Sequence, residues 1–205
     1  MAVVDGASLK VVKTKGKLRD LKDKIHKFGD LKGTVGIGHT RCATHGEPLD
    51  VNAHPQFSGS EMFAVVHNGI IENYRTLKDS LIYMGFHFIS DTDTEVVAQL
   101  LEFYYEESVL EAVSKTIQKI EGSYALAILC RNLPDHIIAV CKNSPMIVGI
   151  GKNENFVTSD IPAVLSRTRD VYYLNENEIA VVAKGEIKFY DLDGNAIRKE
   201  TYPIS

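Results

Sequence analysis

The second half of the chain is a series of short apolar runs separated by turn residues, and this pattern limits the fold more than any other feature. Ser123–Cys130 and His136–Cys141 are rich in residues that favour β-strands. Further runs of the same kind are Ile147–Ile150, Asn155–Ser159, Glu178–Val182 and Ile187–Asp191. Asp193-Gly194 then gives a hairpin signal before a short return strand. Many short strands joined by tight turns predict antiparallel sheets.

The first half mixes strand patterns with helical ones. Apolar residues at helical spacing predict an amphipathic helix over residues 18–28, and further helices are expected over 70–84, 94–106 and 108–120. Strands are expected at Met1–Asp5, Ser8–Lys13, Thr34–Arg41, Met62–His67 and Phe86–Ser90, with Asn68-Gly69 stopping the fourth of them. Residues 42–60 show no periodicity and read as a long loop. The sequence predicts an α+β layered fold in one domain, residues 1–205.

Composition and charge exclude several classes of function. The net charge is −4 with a pI of about 6.0, so neither nucleic acid nor an anionic membrane is expected as a partner. Three cysteines without a CxxC pair indicate a reducing compartment, and no signal peptide or membrane-length apolar run is present in the sequence. We therefore expect a cytoplasmic protein, and no sequence motif calls for a cofactor.

Reactive side chains crowd into four segments, three of them at the ends of predicted strands. The segments are His39-Thr-Arg-Cys-Ala-Thr-His-Gly46, Asn52-Ala-His-Pro55, His67-Asn-Gly-Ile-Ile-Glu-Asn73 and Ser90-Asp-Thr-Asp-Thr-Glu95. Strand ends and the loops that follow them are where rigid scaffolds present binding groups. These segments are the candidate functional site.

Each candidate side chain has a functional interpretation and a structural one. Arg41 and Asp93 could bind the carboxylate and the ammonium of a free amino acid, or each could form an ordinary surface ion pair. Asn68-Gly69 could be a turn, or an oxyanion hole built from a side-chain amide and a backbone N–H. The residues alone leave both choices open.

Histidines and cysteines give weaker signals. The spacing of His39, His45, His54 and His67 matches no metal-binding motif, so no metal site is expected. Cys130 and Cys141 lie in apolar strands and are expected in the core. Cys42 follows Arg41, which favours a thiolate, but the sequence shows no base beside it.

The four segments, in this order, closely resemble the glutaminase domain of the glucosamine–fructose-6-phosphate aminotransferases, which are class II glutamine amidotransferases. The resemblance extends through Glu121-Gly-Ser-Tyr124, Ser144-Pro145 and the stretch from Asn155 to Asp160. It implies an N-terminal-nucleophile hydrolase fold, a four-layer αββα sandwich of two antiparallel sheets. It also implies that the domain releases ammonia from L-glutamine for glucosamine 6-phosphate synthesis by separate isomerase domains, in a homodimeric enzyme.

Roles for individual residues follow from the same resemblance. Arg41 and Asp93 would hold the α-carboxylate and the α-amino group of glutamine. Thr44, His45 and His54 would line that pocket. Asn68 and Gly69 would form the oxyanion hole, which favours that interpretation over the turn.

The sequence departs from the family in three ways. The family nucleophile is a cysteine at the mature N-terminus whose own α-amino group is the base, and this chain begins with Met1-Ala-Val-Val-Asp5 instead of a Cys-Gly-Ile-Val-Gly-like strand. We therefore expect the sandwich to lack its first strand and the chain to be inactive alone. Cys42 stands where bacterial members have a tryptophan, and the isomerase domains are absent from residues 1–205.

Two alternative functions stay open at this point. One is a glutamine- or glutamate-binding module without catalysis. The other is the glutaminase domain of a different amidotransferase, such as amidophosphoribosyltransferase, which would deliver ammonia to another acceptor.

Overall fold

A computed structural model describes residues 1–29, 31–40 and 46–204. The helices are α1 (Leu18–Phe28), α2 (Tyr74–Tyr83), α3 (Asp93–Tyr104) and α4 (Val109–Ile117), with a short 3-10 helix at Ile161–Ala163. The strands are β1 (Ala2–Asp5), β2 (Ser8–Val11), β3 (Gly36–Ile37), β4 (Gln56–Phe57), β5 (Phe63–Ile71), β6 (Gly122–Cys130), β7 (His136–Lys142), β8 (Ile147–Ile150), β9 (Asn155–Thr158), β10 (Asp170–Tyr173), β11 (Ile179–Ala183), β12 (Ile187–Tyr190), β13 (Ala196–Ile197) and β14 (Tyr202–Pro203). Among these, β4, β10 and β14 are strands that the sequence analysis does not predict, and β4 lies in the expected loop of residues 42–60.

A seven-stranded antiparallel sheet forms the centre of the fold. Its strand order is β13-β12-β11-β7-β6-β5-β4. The longest pairing joins β5 to β6, from Phe63 opposite Cys130 to Ile71 opposite Gly122. Because successive side chains on a strand point to opposite faces, both of these strands supply two different cores.

One face of the central sheet packs against helices α2, α3 and α4. Phe63 and Val65 of β5 and Leu126 and Ile128 of β6 belong to this core, together with apolar residues of the helices. The run from Val96 to Leu101 on α3 is buried on all sides, as expected for a helix enclosed by a sheet and its neighbouring helices.

The other face carries two smaller sheets. A three-stranded sheet, β2-β1-β3, covers Ala64 and Val66 of β5, while a four-stranded sheet, β14-β10-β8-β9, lies over Ala125 of β6 and its neighbours. The edge strands β3 and β9 line a common cleft. This β layer is therefore split between β3 and β9.

The α+β architecture is confirmed, with a helical layer, a seven-stranded sheet and a second β layer. A second helical layer is not seen in the described part of the chain, where α1 buries none of its residues. Leu18 and Phe28 on the apolar side of α1 are exposed. None of the helices in the described ranges is both long and apolar enough to span a membrane.

The predicted strand Met62–His67 does not stop at Asn68-Gly69. β5 continues to Ile71, so this dipeptide lies within a strand and the turn interpretation is wrong. Pairing with β6 along the whole length outweighs the local turn preference, because the neighbouring strand satisfies the backbone hydrogen bonds.

The predicted strand Phe86–Ser90 is also absent, and the segment has no regular structure. Several of its backbone hydrogen bonds go to side chains of α2 and α3 instead of a neighbouring strand, and Lys78 Nζ of α2 donates to Ser90 O. Gln99 Nε2 donates to His87 O, and the Glu95 carboxylate accepts from the backbone N–H groups of Ile89 and Ser90.

Cys130 and Cys141 lie in β6 and β7, and both are buried, as the sequence predicts. Burial raises the pKa of the Cys130 thiol and raises that of Cys141 to about 11. The Cys141 Sγ donates a hydrogen bond to the backbone oxygen of Leu174, 3.4 Å away. Cys42 lies outside the described residues.

We expect Cys130 and Cys141 to react with iodoacetamide at pH 8 at least about tenfold more slowly in the native protein than in urea. The thiolate is the reactive form, and burial disfavours it. Peptide mass spectrometry after timed labelling measures the modification of each cysteine. Equal rates in buffer and in urea would show that these strands are not packed as described.

Candidate functional site

The first turn of α3 carries three consecutive buried polar residues, Asp93, Thr94 and Glu95. Neighbouring residues on a helix are rotated by about 100° from one another. The three side chains therefore point in different directions, and each one contacts a different segment of the chain.

Asp93 connects α3 to the end of β5. Its Oδ2 accepts a hydrogen bond from the Ile71 N–H at 2.8 Å and lies 3.9 Å from His67 Nδ1. Oδ1 accepts no hydrogen bond from the residues that the structure describes. A carboxylate at a helix N-terminus also interacts favourably with the backbone N–H groups there, which suits Asp93 to the first position of α3.

Thr94 connects two histidines. Its Oγ1 lies 3.0 Å from His67 Nδ1 and 3.1 Å from His54 Nε2. The His54 ring stacks on His39 with 4.8 Å between centroids, and His67 follows at 6.4 Å from His54. The three imidazoles thus form a row beside the start of α3.

Glu95 fixes the segment that precedes α3. One carboxylate oxygen accepts from Ile89 N–H at 2.9 Å, and the other accepts from both the N–H and the hydroxyl of Ser90 at 2.6 Å. The side chain of Glu95 is almost fully buried, so these bonds are needed to offset its desolvation.

The loop that holds His54 is fixed from two directions. The buried Asn52 accepts from Asp91 N–H at 2.9 Å and donates to Glu47 O at 3.0 Å. On the other side Lys13 Nζ donates to Val51 O at 3.0 Å and to Pro55 O at 3.2 Å. Burial lowers the pKa of Lys13 to about 8.

Asn68 and Gly69 lie on β5, directly after His67. The Asn68 side chain is exposed, and it lines the cleft between β3 and β9 together with His67. This cavity has a volume of about 170 Å³, and its walls include Gly36 and Ile37 on one side and Thr158 and Ser159 on the other.

The structure therefore brings four predicted site residues into one region. His54 and Asp93 are connected through Thr94 and His67, while Asn68 and Gly69 lie between His67 and the Ile71 N–H that Asp93 binds. Arg41, Thr44 and His45 lie outside the described residues. Within the described ranges no group of three or more His, Cys, Asp or Glu side chains could hold a metal ion.

Sequence reasoning did not assign roles to Thr94, Glu95 or Lys13. The available signal for the first two was an acidic and hydroxyl-bearing run, Asp-Thr-Asp-Thr-Glu95, directly before the apolar residues of a predicted helix. Such a run reads as ordinary helix capping. Only the packing of α3 against β5 shows that these side chains are buried and bound to distant segments.

Gly69 is required by its backbone conformation and by its neighbour. Its φ is +136°, and an added Cβ would lie 2.1 Å from Ser123 O on β6. Both conditions exclude any other residue at this position unless the β5–β6 pairing shifts.

We expect Gly69→Ala to lower the free energy of unfolding by about 2–4 kcal/mol, because backbone strain and overpacking act together. The matched control is Gly185→Ala, where a Cβ would meet nothing within 4 Å and the change should stay within about 0.5 kcal/mol. Urea unfolding of the two variants measures the difference. Equal stabilities would contradict the close approach of β5 and β6 at this point.

Comparisons with known proteins identify the family. Residues 39–166 match the family described as glutamine amidotransferase domain. The glutamine–fructose-6-phosphate aminotransferase (isomerizing) of Caldanaerobacter subterraneus subsp. tengcongensis is 51% identical over 204 residues, and that of Clostridium tetani is 45% identical over 205. Both alignments cover 100% of this chain but only 33% and 34% of those proteins. The chain thus spans about a third of the length of these curated relatives.

A solved structure supports the same fold. The glutamine phosphoribosylpyrophosphate amidotransferase of B. subtilis superposes with a TM-score of 0.77 at 23% identity, over 95% of this chain and 43% of that one. The match to the family covers more than half of the chain, from His39 in the first polar segment to Ser166. This chain belongs to the glutamine amidotransferase domain family.

Proposed function

We propose that this chain binds L-glutamine and is the glutaminase part of a glutamine–fructose-6-phosphate aminotransferase (isomerizing). The observation that carries the proposal is the contact between Asp93 and β5, through the hydrogen bond from Ile71 N–H to Asp93 Oδ2. This contact sets a buried carboxylate next to the strand segment that presents Asn68 and Gly69. Relatives that bear this activity in their names are 45–51% identical over the whole chain.

Asp93 would bind the α-ammonium group of glutamine. Its Oδ2 is held by the backbone, and Oδ1 is not used by any of the residues that the structure describes. A buried carboxylate that is already oriented binds a cation with little further ordering. The Arg41 guanidinium would bind the α-carboxylate through two parallel hydrogen bonds. Thr44, His45 and His54 would line the pocket.

Asn68 and Gly69 would stabilise the oxyanion that forms when the side-chain amide of glutamine is attacked. The Asn68 side chain is exposed towards the cleft, so its amide can donate to a ligand there. Gly69 has no side chain that would block the approach of a substrate to its backbone N–H. Removing one preorganised donor of this kind typically lowers kcat by about 10²–10³-fold.

The nucleophile expected from the family is an N-terminal cysteine, and residue 1 here is methionine. Neither Cys130 nor Cys141 can replace it, because both are buried and their thiol pKa values are raised. We place the nucleophile expected from the family in the cleft between β3 and β9, where an added strand could pair with both edges and complete the split layer. A residue in this cleft would lie beside His67 and Asn68.

The fate of the ammonia is inferred from the relatives. The names of the Caldanaerobacter and Clostridium proteins indicate transfer to fructose 6-phosphate, and glucosamine 6-phosphate would be the product. In this proposal the acceptor site belongs to isomerase domains outside residues 1–205, and the complete enzyme is a cytoplasmic homodimer.

A second function, binding of glutamine or glutamate without catalysis, is favoured by one observation. The groups proposed to bind the substrate are present in the chain, whereas the two cysteines that the structure describes are both inaccessible. Binding and turnover therefore have to be measured separately.

We expect Asp93→Asn to weaken the binding of L-glutamate by at least about tenfold, because the charge that pairs with the ammonium is lost. Asparagine can still accept the Ile71 N–H, so the fold should be retained. The control Asp79→Asn changes an exposed carboxylate on α2 and should leave the affinity within about twofold. Isothermal titration calorimetry provides the affinities. Unchanged binding in the Asp93 variant would remove this residue from the site.

We expect residues 1–205 alone to release no glutamate from glutamine. A chimaera that adds the family's Cys-Gly-Ile-Val-Gly strand and the Tyr-Arg-Gly-Tyr-Asp loop to the N-terminus should gain turnover, since it supplies both thiol and α-amine. A coupled glutamate dehydrogenase assay measures both proteins. Turnover by the unmodified chain would contradict the need for that cysteine. A chimaera that is folded and binds glutamate but shows no turnover would favour the function of binding without catalysis.

A further inference from the structure

Thr94 is fully buried, and its hydroxyl lies between the imidazole rings of His54 and His67. Its Oγ1 is within hydrogen-bond distance of His67 Nδ1 at 3.0 Å and His54 Nε2 at 3.1 Å. A hydroxyl has one proton to donate and two lone pairs that accept. It can therefore donate to only one of the two rings, and the other ring must present an N–H to it.

Asp93 determines the direction in which this pair of hydrogen bonds runs. Its Oδ2 lies 3.9 Å from His67 Nδ1, and a nearby negative charge favours a proton on that nitrogen. His67 Nδ1–H then donates to Thr94 Oγ1. The Thr94 hydroxyl in turn donates to His54 Nε2, which leaves the proton of neutral His54 on Nδ1.

We propose that Thr94 is a positioning residue that sets the tautomer of His54, because its hydroxyl accepts from His67 and donates to His54. The direction of the chain is Asp93, His67, Thr94, His54, and the backbone bond from Ile71 to Asp93 anchors its start. The position of Thr94 is fixed because it lies in the first turn of α3 between Asp93 and Glu95, and both neighbours are tied to other segments.

The consequence for the site is that His54 presents a defined donor on Nδ1. His54 lies on a loop that Lys13 and Asn52 hold from either side, so its ring can keep one orientation. Stacking on His39 restricts the ring further. This part of the inference rests on the proposed function, in which His54 lines the glutamine pocket.

The test compares three substitutions. Thr94→Val keeps the shape of the side chain and removes the hydroxyl, while Thr94→Ser keeps the hydroxyl. Thr116→Val on α4 is the matched control, because Thr116 is also fully buried and its Oγ1 has no hydrogen-bond partner in the described structure. Thermal unfolding of each variant checks that the fold is retained.

Long-range ¹H–¹⁵N NMR of the imidazole nitrogens is the main measurement, since protonated and unprotonated ring nitrogens have distinct shifts. His54→Asn and His67→Asn assign the signals. In the unmodified chain and in Thr94→Ser we expect Nδ1 of both rings to be protonated. Thr94→Val should move His54 towards a mixture of tautomers, while His67 keeps its proton on Nδ1 beside Asp93. Thr116→Val should change neither ring.

Unchanged His54 shifts in Thr94→Val would overturn the proposal. It would also be overturned if Thr94→Ser and Thr94→Val gave the same His54 shifts. Glutamate affinity is measured on the same proteins. We expect a loss of about tenfold for Thr94→Val, the effect of about one hydrogen bond, and less than twofold for the serine variant. If the unmodified chain binds no glutamate, the proposed function fails, while the NMR result still decides the role of Thr94.

Discussion

The structure depends on how the first turn of α3 satisfies its buried polar groups. A buried carboxylate or hydroxyl without partners costs about 1–3 kcal/mol or more, so each of Asp93, Thr94 and Glu95 needs a partner in the folded state. The partners come from the end of β5, from two histidines and from the segment before the helix. The start of α3 and the candidate site therefore share the same hydrogen bonds.

Local sequence patterns predicted the helices and strands correctly where the residues of the element itself determine its structure. α1 has the bounds that apolar spacing predicted, and β6 and β7 follow their apolar runs closely. They failed at Asn68-Gly69 and at Phe86–Ser90. Gly69 pairs with Tyr124, a partner far along the chain. Glu95 is close in sequence to Ile89 and Ser90, but its carboxylate accepts their N–H groups in place of a neighbouring strand, which strand propensity does not predict.

The candidate site shows the same division. The motifs identified Asp93, Asn68 and His54 because their side chains have recognisable chemistry in a recognisable order. They did not identify Thr94 or Lys13, whose partners are separated from them by 27 to 42 residues. A threonine or a lysine in such a segment looks like a surface residue until its neighbours are known. The supporting residues of a site therefore come from the packing, and the reacting ones from the motif.

The proposed binding groups and the cleft proposed for the nucleophile lie mainly in different layers of this fold. Asp93, Thr94 and Asn68 are all held by α3, β5 and β6, which belong to the seven-stranded sheet and the helices on it. The cleft proposed for the nucleophile lies in the other β layer, between β3 and β9. Val66, His67 and Asn68 of β5 also line this cleft, so β5 joins the proposed binding residues to it. In the proposed function, a strand added at this split would therefore bring its attacking group next to Asn68, while Asp93 stays anchored to the Ile71 N–H.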